Sequence, residues 1–362
     1  MTHRKRRFPK PLLVVPALGL AAAVLGAPPA GAQSWTLRYS DIGPDRGPRA
    51  ESLKWWAGEI EKQTGGKVKV QFFWAQALVK GKDTLKAVGS GLAETGTILG
   101  IYTPAELPIW NLANAPFGGR DPWVGMHTWY EMHRTVPELQ KEVEKQNAHI
   151  LTIFTTGPVD ILSKTPILSE KDLAGKKIRA TGGWVGLLKS LGAVPVNIQF
   201  GELYEALGRG TIDGTINYIP FVKSYKHYEV AGHVTEVRMG QVLGYGAGIN
   251  AKTWSGMPAE VRAAMTRISE QFMDRYARAY LDDVGRTKKE LSAGIGGKKV
   301  LFHALPQSEL NTWTAKSTFL QEWVKSMAAK GVAAAGIVET LNRTRDKYEA
   351  ELASKGYPWT RN

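Results

Sequence analysis

The chain has 362 residues, no cysteine, and 47 Lys and Arg against 33 Asp and Glu, a formal net charge of +14. The length exceeds what one hydrophobic core usually supports, so two domains are expected, and the lack of cysteine excludes a disulfide framework. The basic residues are dispersed, as in Lys62, Lys67, Lys69, Lys80 and Lys82, which argues against nucleic acid as a partner and leaves a solvated surface with some attraction for anions.

Residues 1–32 read as a cleaved signal peptide. Arg4, Lys5, Arg6, Arg7 and Lys10 form a basic start, and Pro11 to Gly26 is apolar but short for a membrane span. Ala30-Gly31-Ala32 then supplies the small-x-small cleavage pattern before Gln33. Arg6-Arg7-Phe8 leaves twin-arginine export open beside the general secretory route. Removing the five leader cations leaves 42 basic against 33 acidic residues, a net +9, and the expected location is the periplasm. A monomer is expected.

The mature chain opens with an alternating strand at Trp35–Tyr39 and a turn-rich stretch to Pro48. An amphipathic helix follows, with Leu53, Trp56 and Ile60 on one face and Gly65-Gly66 at its end. Lys67–Phe73 predicts a strand, Asp83 begins another helix, and Ala93–Leu99 is again a strand. A second run starts at Ile150: strands at 150–154, 176–180, 194–198 and 214–218, and helices at 185–191 and 202–207. Gly244–Asn250 reads as a chain crossover. Beyond Pro258 the sequence predicts helices at 259–291, 308–330 and 332–354. Strands alternating with helices predict an α/β fold of two lobes with a cleft between them and a long bridging helix. The expected division is 33–156 with about 245–284 in lobe I, and 157–244 with about 285–362 in lobe II.

One internal echo supports two lobes of similar build. Ala87-Val-Gly-Ser-Gly-Leu-Ala-Glu94 and Ala206-Leu-Gly-Arg-Gly-Thr-Ile-Asp213 share the pattern Ala-aliphatic-Gly-x-Gly-x-x-acid. Each ends a helix on glycines able to take positive φ and turns directly into a strand.

Enzyme signatures are missing: there is no His-Glu-x-x-His, no Gly-x-Ser-x-Gly and no Walker loop. His127 and His133, like His227 and His233, lie six apart, a spacing that does not put two ligands on one helical face. No cofactor or metal is expected. The informative stretch is 172–229. There Arg179 ends a short strand beside Thr181-Gly-Gly-Trp184, a place where a carboxylate is held by two parallel N–H donors, or where a structural arginine binds carbonyl groups.

In this stretch stand Asp172-Leu-x-Gly-x-Lys-Ile-Arg179, Leu191-Gly-Ala-x-Pro195, Phe200-x-Glu-Leu-Tyr-x-Ala-Leu207, Gly210-x-x-Asp-Gly-x-x-Asn217 and Tyr225-Lys-x-Tyr-Glu229. Their order and spacing resemble the solute-binding subunits of tripartite ATP-independent periplasmic (TRAP) transporters of the DctP type. The resemblance implies a protein that is not an enzyme, closes its lobes on a small organic acid and delivers it to membrane permease subunits driven by an ion gradient. It also implies that Arg179 pairs with the ligand carboxylate, that Phe200 packs on the ligand and that Asn217 hydrogen-bonds it. Trp184 and Tyr218 flank these positions as candidate aromatic walls, with core packing the alternative. Asp41 and Tyr102 are the candidate contacts from the first lobe. Sugar-acid-binding relatives carry a second arginine one strand earlier, and the window Thr155–Ile161 has none here; Gly182 also replaces a polar residue. Both departures favour a smaller or less hydroxylated acid. The competing readings are a ligand-sensing subunit for a receptor kinase and an exported enzyme on the same scaffold.

Overall fold

The computed structural model describes residues 1–2 and 34–361, so the signal-peptide reading of residues 1–32 lies almost wholly outside the described residues. In chain order the strands are β1 (Trp35–Ser40), β2 (Val68–Phe73), β3 (Thr95–Leu99), β4 (Ala148–Ile153), β5 (Asp160–Ser163), β6 (Lys177–Arg179), β7 (Val194–Val196), β8 (Gly214–Asn217), β9 (His233–Glu236), β10 (Tyr245–Asn250) and β11 (Leu301–Ala304). They form two sheets, ordered β2-β1-β3-β10-β4 in lobe I and β11-β9-β5-β8-β6-β7 in lobe II.

Each sheet is built from parallel β-helix-β units, as the alternating pattern requires. In lobe I, β1 runs parallel to β2 and β3, and its inward residues Leu37 and Tyr39 are fully buried. Tyr39 meets Trp56 of the Gly47–Gln63 helix edge-on at 6.2 Å. In lobe II, β6 runs parallel to β7 and β8. Into each sheet one antiparallel strand is inserted, and each is a strand that has just arrived from the other lobe. The chain leaves β4 and enters lobe II as β5, antiparallel to β8 and β9. It returns from β9 as β10, antiparallel to β3 and β4. The Gly244–Asn250 crossover is thus itself a central strand. Its glycines permit close approach: a Cβ on Gly246 would lie 2.3 Å from the Thr152 carbonyl oxygen, and one on Gly248 2.2 Å from Ile98.

The helix Ala259–Ala293 has 35 residues, about 52 Å of length, and serves both lobes. Trp56 Nε1 and Thr152 Oγ1 of lobe I donate to Ser269 Oγ and Ser269 O at 3.0 and 2.8 Å. Further along, Lys288 reaches Glu236 at the end of β9 at 2.8 Å. Between these points Tyr276 donates to the Thr155 carbonyl at 2.8 Å, which fixes the helix to the first crossing.

The sequence did not announce the helices Pro122–Thr135 and Pro137–Glu144 or the strands β5, β9 and β11. The expected helix at 308–330 is two, Gln307–Ala315 and Phe319–Ala328. The assignment of the whole C-terminal region to lobe II also needs correction. The helix Ala334–Lys355 packs on Pro122–Thr135, with Lys347 and Tyr348 on Glu131 at 2.6 and 2.7 Å and Tyr348 edge-on to Trp123. Those partners belong to the stretch between β3 and β4 of lobe I. Among the described residues no helix is long and apolar enough to cross a membrane.

Candidate ligand-binding site

Arg179 is the last residue of β6, and its side chain turns inward: it is only 2% exposed. Nε donates to the Ile198 carbonyl at 2.8 Å, and the guanidinium lies over the Phe200 ring, 5.5 Å from its centroid. Phe200 opens a short 3-10 turn before the Leu203–Arg209 helix and stacks on Tyr218 at 5.6 Å. Tyr225 meets Phe200 edge-on at 4.9 Å. Among the described residues no Asp or Glu forms an ion pair with Arg179, although buried cations normally have one.

The guanidinium borders a cavity of about 30 Å³ between the lobes. Lobe II contributes Arg179, Thr181, Phe200, Tyr218, Phe221 and Tyr225, while lobe I contributes Ile42, Leu99, Ile101, Tyr102 and Tyr245. Thr156 and Val242 come from the two crossing segments. Tyr102 also joins the lobes directly, because its hydroxyl accepts the Phe200 backbone N–H at 3.0 Å. Burial pushes the phenols of Tyr218, Tyr225 and Tyr245 well above the ordinary tyrosine range, so each stays neutral and able to donate.

Four of the seven candidates therefore come together on the cavity: Arg179, Phe200, Tyr218 and Tyr102. The other three do other work. Trp184 is fully buried and its indole N–H donates to the Met239 carbonyl at 2.8 Å, tying lobe II to the returning crossing. Asn217 stands behind the wall. Its Oδ1 accepts the Tyr218 N–H at 2.8 Å, which fixes the amide's orientation, and Nδ2 donates to His227 Nδ1 at 3.0 Å. The His227 proton then sits on Nε2, and burial, with Arg179 nearby, pushes this imidazole down to about 3. Asn217 thus orients Tyr218 and His227 and does not reach the cavity.

Asp41 is the third. Its Oδ1 accepts from Gly43 N–H at 2.6 Å and Arg49 Nη2 at 2.7 Å; its Oδ2 accepts from Arg49 Nη1 at 2.5 Å and Thr97 Oγ1 at 2.8 Å. Every lone-pair direction of the carboxylate is occupied from within lobe I. Arg49 was missed by sequence reasoning, yet its signal was there. Stepping back one turn from Leu53 on the face Leu53–Trp56–Ile60 lands on residue 49, and an arginine on a buried face needs a buried partner. Thr156, Thr181, Tyr225 and Tyr245 were also missed, since nothing local marks a side chain in a loop or at an element's end as facing a cleft.

Two α/β lobes joined by two short crossings and a long helix, with a cavity on the seam, are the architecture of a binding protein that closes on a solute. The profile described as "Bacterial extracellular solute-binding protein, family 7" (DctP) matches residues 39–330. The chain belongs to the DctP family. Over 339 residues it is 26% identical to the C4-dicarboxylate-binding periplasmic protein DctP of Rhodobacter capsulatus, covering 91% of this chain and 97% of that one. A TRAP solute-binding protein from Rhodoferax ferrireducens, solved with copurified benzoate, superposes with a TM-score of 0.79 at 19% identity, over 89% of this chain and 100% of that chain. A marine-metagenome TRAP solute-binding protein specific for aromatic acids, solved with 3-hydroxybenzoate, gives 0.76 at 22% identity, over 87% and 99%. These likenesses establish the shared fold. Among the described residues of this DctP member, no three His, Asp or Glu side chains gather as a metal site would require.

Proposed function

We propose that this DctP-family chain is the periplasmic capture subunit of a TRAP transporter, which closes its lobes on a small organic acid and hands it to the membrane permease. The observation that carries this reading is Arg179: a guanidinium 2% exposed, with no carboxylate paired to it among the described residues, bordering the inter-lobe cavity. An isolated buried cation costs several kcal/mol, and a ligand carboxylate offsets that cost while taking two parallel N–H donors. The similar proteins solved with benzoate and 3-hydroxybenzoate support an acid as ligand.

A cavity of about 30 Å³ has room for little more than a water or two, so an acid enters only when the lobes part. The contact between Tyr102 and the Phe200 N–H lies across that seam and forms on closure. The chemistry needed is binding and release, and the acid leaves unchanged. Truncating one partner of a buried charge pair costs roughly 2–5 kcal/mol, so Arg179→Ala weakens acid binding by about 30-fold or far more. Calorimetry with benzoate as probe measures this, and wild-type affinity in Arg179→Ala removes the basis of the proposal. Mass spectrometry of the recovered ligand tests the absence of turnover.

A further inference from the structure

Two buried arginines approach the cavity, and only one has its charge uncancelled. Arg179 lies at the lobe II end. At the lobe I end stands Arg49, whose side chain is 5% exposed and whose partner Asp41 is 0% exposed. Close to Arg49 the cavity is lined by two phenols, Tyr225 of lobe II and Tyr245 of lobe I. A Cβ on Gly43 would lie 2.0 Å from Arg49 Nη2 and 2.9 Å from the Tyr225 hydroxyl, so those two atoms are at most 4.9 Å apart. Among the described residues neither the Tyr225 nor the Tyr245 hydroxyl has a hydrogen-bond partner. The ends of the cavity are therefore unlike. One presents a cation to a ligand, and the other presents neutral hydroxyls backed by a closed ion pair.

We propose that the site selects acids bearing a single carboxylate on an uncharged, flat body, and that Asp41 enforces the single charge by keeping Arg49 neutralised. This rests on acid capture at Arg179. With one carboxylate on Arg179, the far end of the ligand reaches Tyr225 and Tyr245, which donate to a hydroxyl or carbonyl oxygen. A second carboxylate placed there meets no uncancelled cation and faces the Asp41 carboxylate just behind the phenols, in surroundings where like charges interact strongly. Pulling Arg49 away to receive it would strip Asp41 of its bidentate partner. The flat body follows from the lining: Phe200, Tyr218 and Phe221 pack on one another, at 5.6 and 5.2 Å between centroids, and form a continuous aromatic side to the cavity. Such an aromatic surface takes a ring or a planar chain more readily than a puckered, polyhydroxylated one.

The experiment compares matched acids by calorimetry and thermal shift: crotonate against fumarate, which differ by a methyl in place of the second carboxylate, and benzoate against terephthalate. Each is titrated into wild type, Asp41→Asn and Arg179→Ala. The wild type binds crotonate and benzoate at least about 100-fold more tightly than their dicarboxylate counterparts. Asp41→Asn removes the negative charge and turns an N–H toward Arg49, so that ratio falls at least about 10-fold. Equal wild-type affinity for the members of each pair overturns the selectivity, and an unchanged ratio in a folded Asp41→Asn protein overturns the role of Asp41. Should Asp41→Asn fail to fold, the wild-type ratio still decides the selectivity. If both members bind equally and Arg179→Ala abolishes both, charge selection falls while acid capture stands. If none of the four acids binds, acid capture itself falls.

Discussion

The two lobes repeat one plan and differ at one point. In each, a run of three adjacent parallel strands is followed by an antiparallel strand from the other lobe, and a short helix ends on a left-handed glycine, Gly91 and Gly210, both with φ of 77°. In each, a buried arginine points toward the seam. Lobe I completes its arginine internally, Arg49 with Asp41, whereas lobe II leaves Arg179 with one carbonyl and an aromatic ring. The first lobe is electrostatically finished on its own, and the second is finished by what it binds.

The largest expected effect breaks this contrast from the lobe I side. Arg49→Ala leaves Asp41 buried and uncompensated, a loss of about 3–5 kcal/mol, measured by chemical unfolding. Arg179→Ala removes a cation with no charged partner to orphan among the described residues, so the unliganded protein keeps or gains stability while ligand affinity collapses. Two arginines of similar burial should therefore sort cleanly, one by stability and one by binding. Equal destabilisation by both variants would show that Arg179 is also completed within the protein.

The inserted strands give the next comparison. In β10 the backbone passes so close to β4 that Gly246→Ala drives a methyl against the Thr152 carbonyl, a cost of about 1–3 kcal/mol. Its counterpart β5 carries ordinary side chains, Asp160 to Ser163, so Ile161→Val there loses only about 0.5–1.5 kcal/mol for one deleted methyl. A Gly246→Ala protein as stable as wild type would show that β10 has room to shift.

Each lobe also holds one carboxyl group that burial pushes up to about 7. Glu142 accepts the backbone N–H groups of Ile109 and Trp110, each at 2.7 Å, and Asp160 accepts that of Arg238 at 2.9 Å. A folded-state value above the unfolded one means that the folded protein holds the proton more tightly. The stability each contributes is full below about pH 4 and is lost as pH rises toward 7. The melting temperature should fall over that window, and Asp160→Asn or Glu142→Gln should each flatten part of the fall. A slope unchanged in both variants would place these carboxylates in the ionised state throughout.

How much of this was legible depends on how local the cause is. The β-helix-β runs and the long helix follow from periodicity, and the expectation of a wall from Arg179 to Tyr218 rested on the motifs that carry the family resemblance. Much of the rest of the wall was not legible. Tyr225 of lobe II, Tyr245 of lobe I and Thr156 of the first crossing reach the cavity only because the chain passes back and forth between the lobes, a fact of topology that no window of residues contains. Asp41 was expected as a ligand contact, but Arg49 eight residues on claims its carboxylate. Asn217 and Trp184 sit behind their expected positions: Asn217 holds the backbone of the wall residue Tyr218, and Trp184 ties lobe II to Met239 of the returning crossing.

The smallest effect tests the internal echo at its final acidic position. In lobe I, Glu94 Oε2 accepts the Arg38 backbone N–H of β1 at 3.0 Å; in lobe II, Asp213 Oδ2 accepts the Lys177 backbone N–H of β6 at 2.8 Å. In both cases the acid just before a strand satisfies a donor on the neighbouring parallel strand, which explains why the pattern ends in an acid twice. Glu94 also grips the Arg38 side chain at 2.7 Å, but that pair is half-exposed and adds little. Glu94→Ala and Asp213→Ala should therefore cost similar amounts, about 0.5–1.5 kcal/mol each, the net worth of one hydrogen bond. Because the two sites lie in separate sheets, the double variant should lose the sum of the two. Losses that are unequal by more than that range, or strongly non-additive, would mean that the shared acid serves different ends in the two lobes.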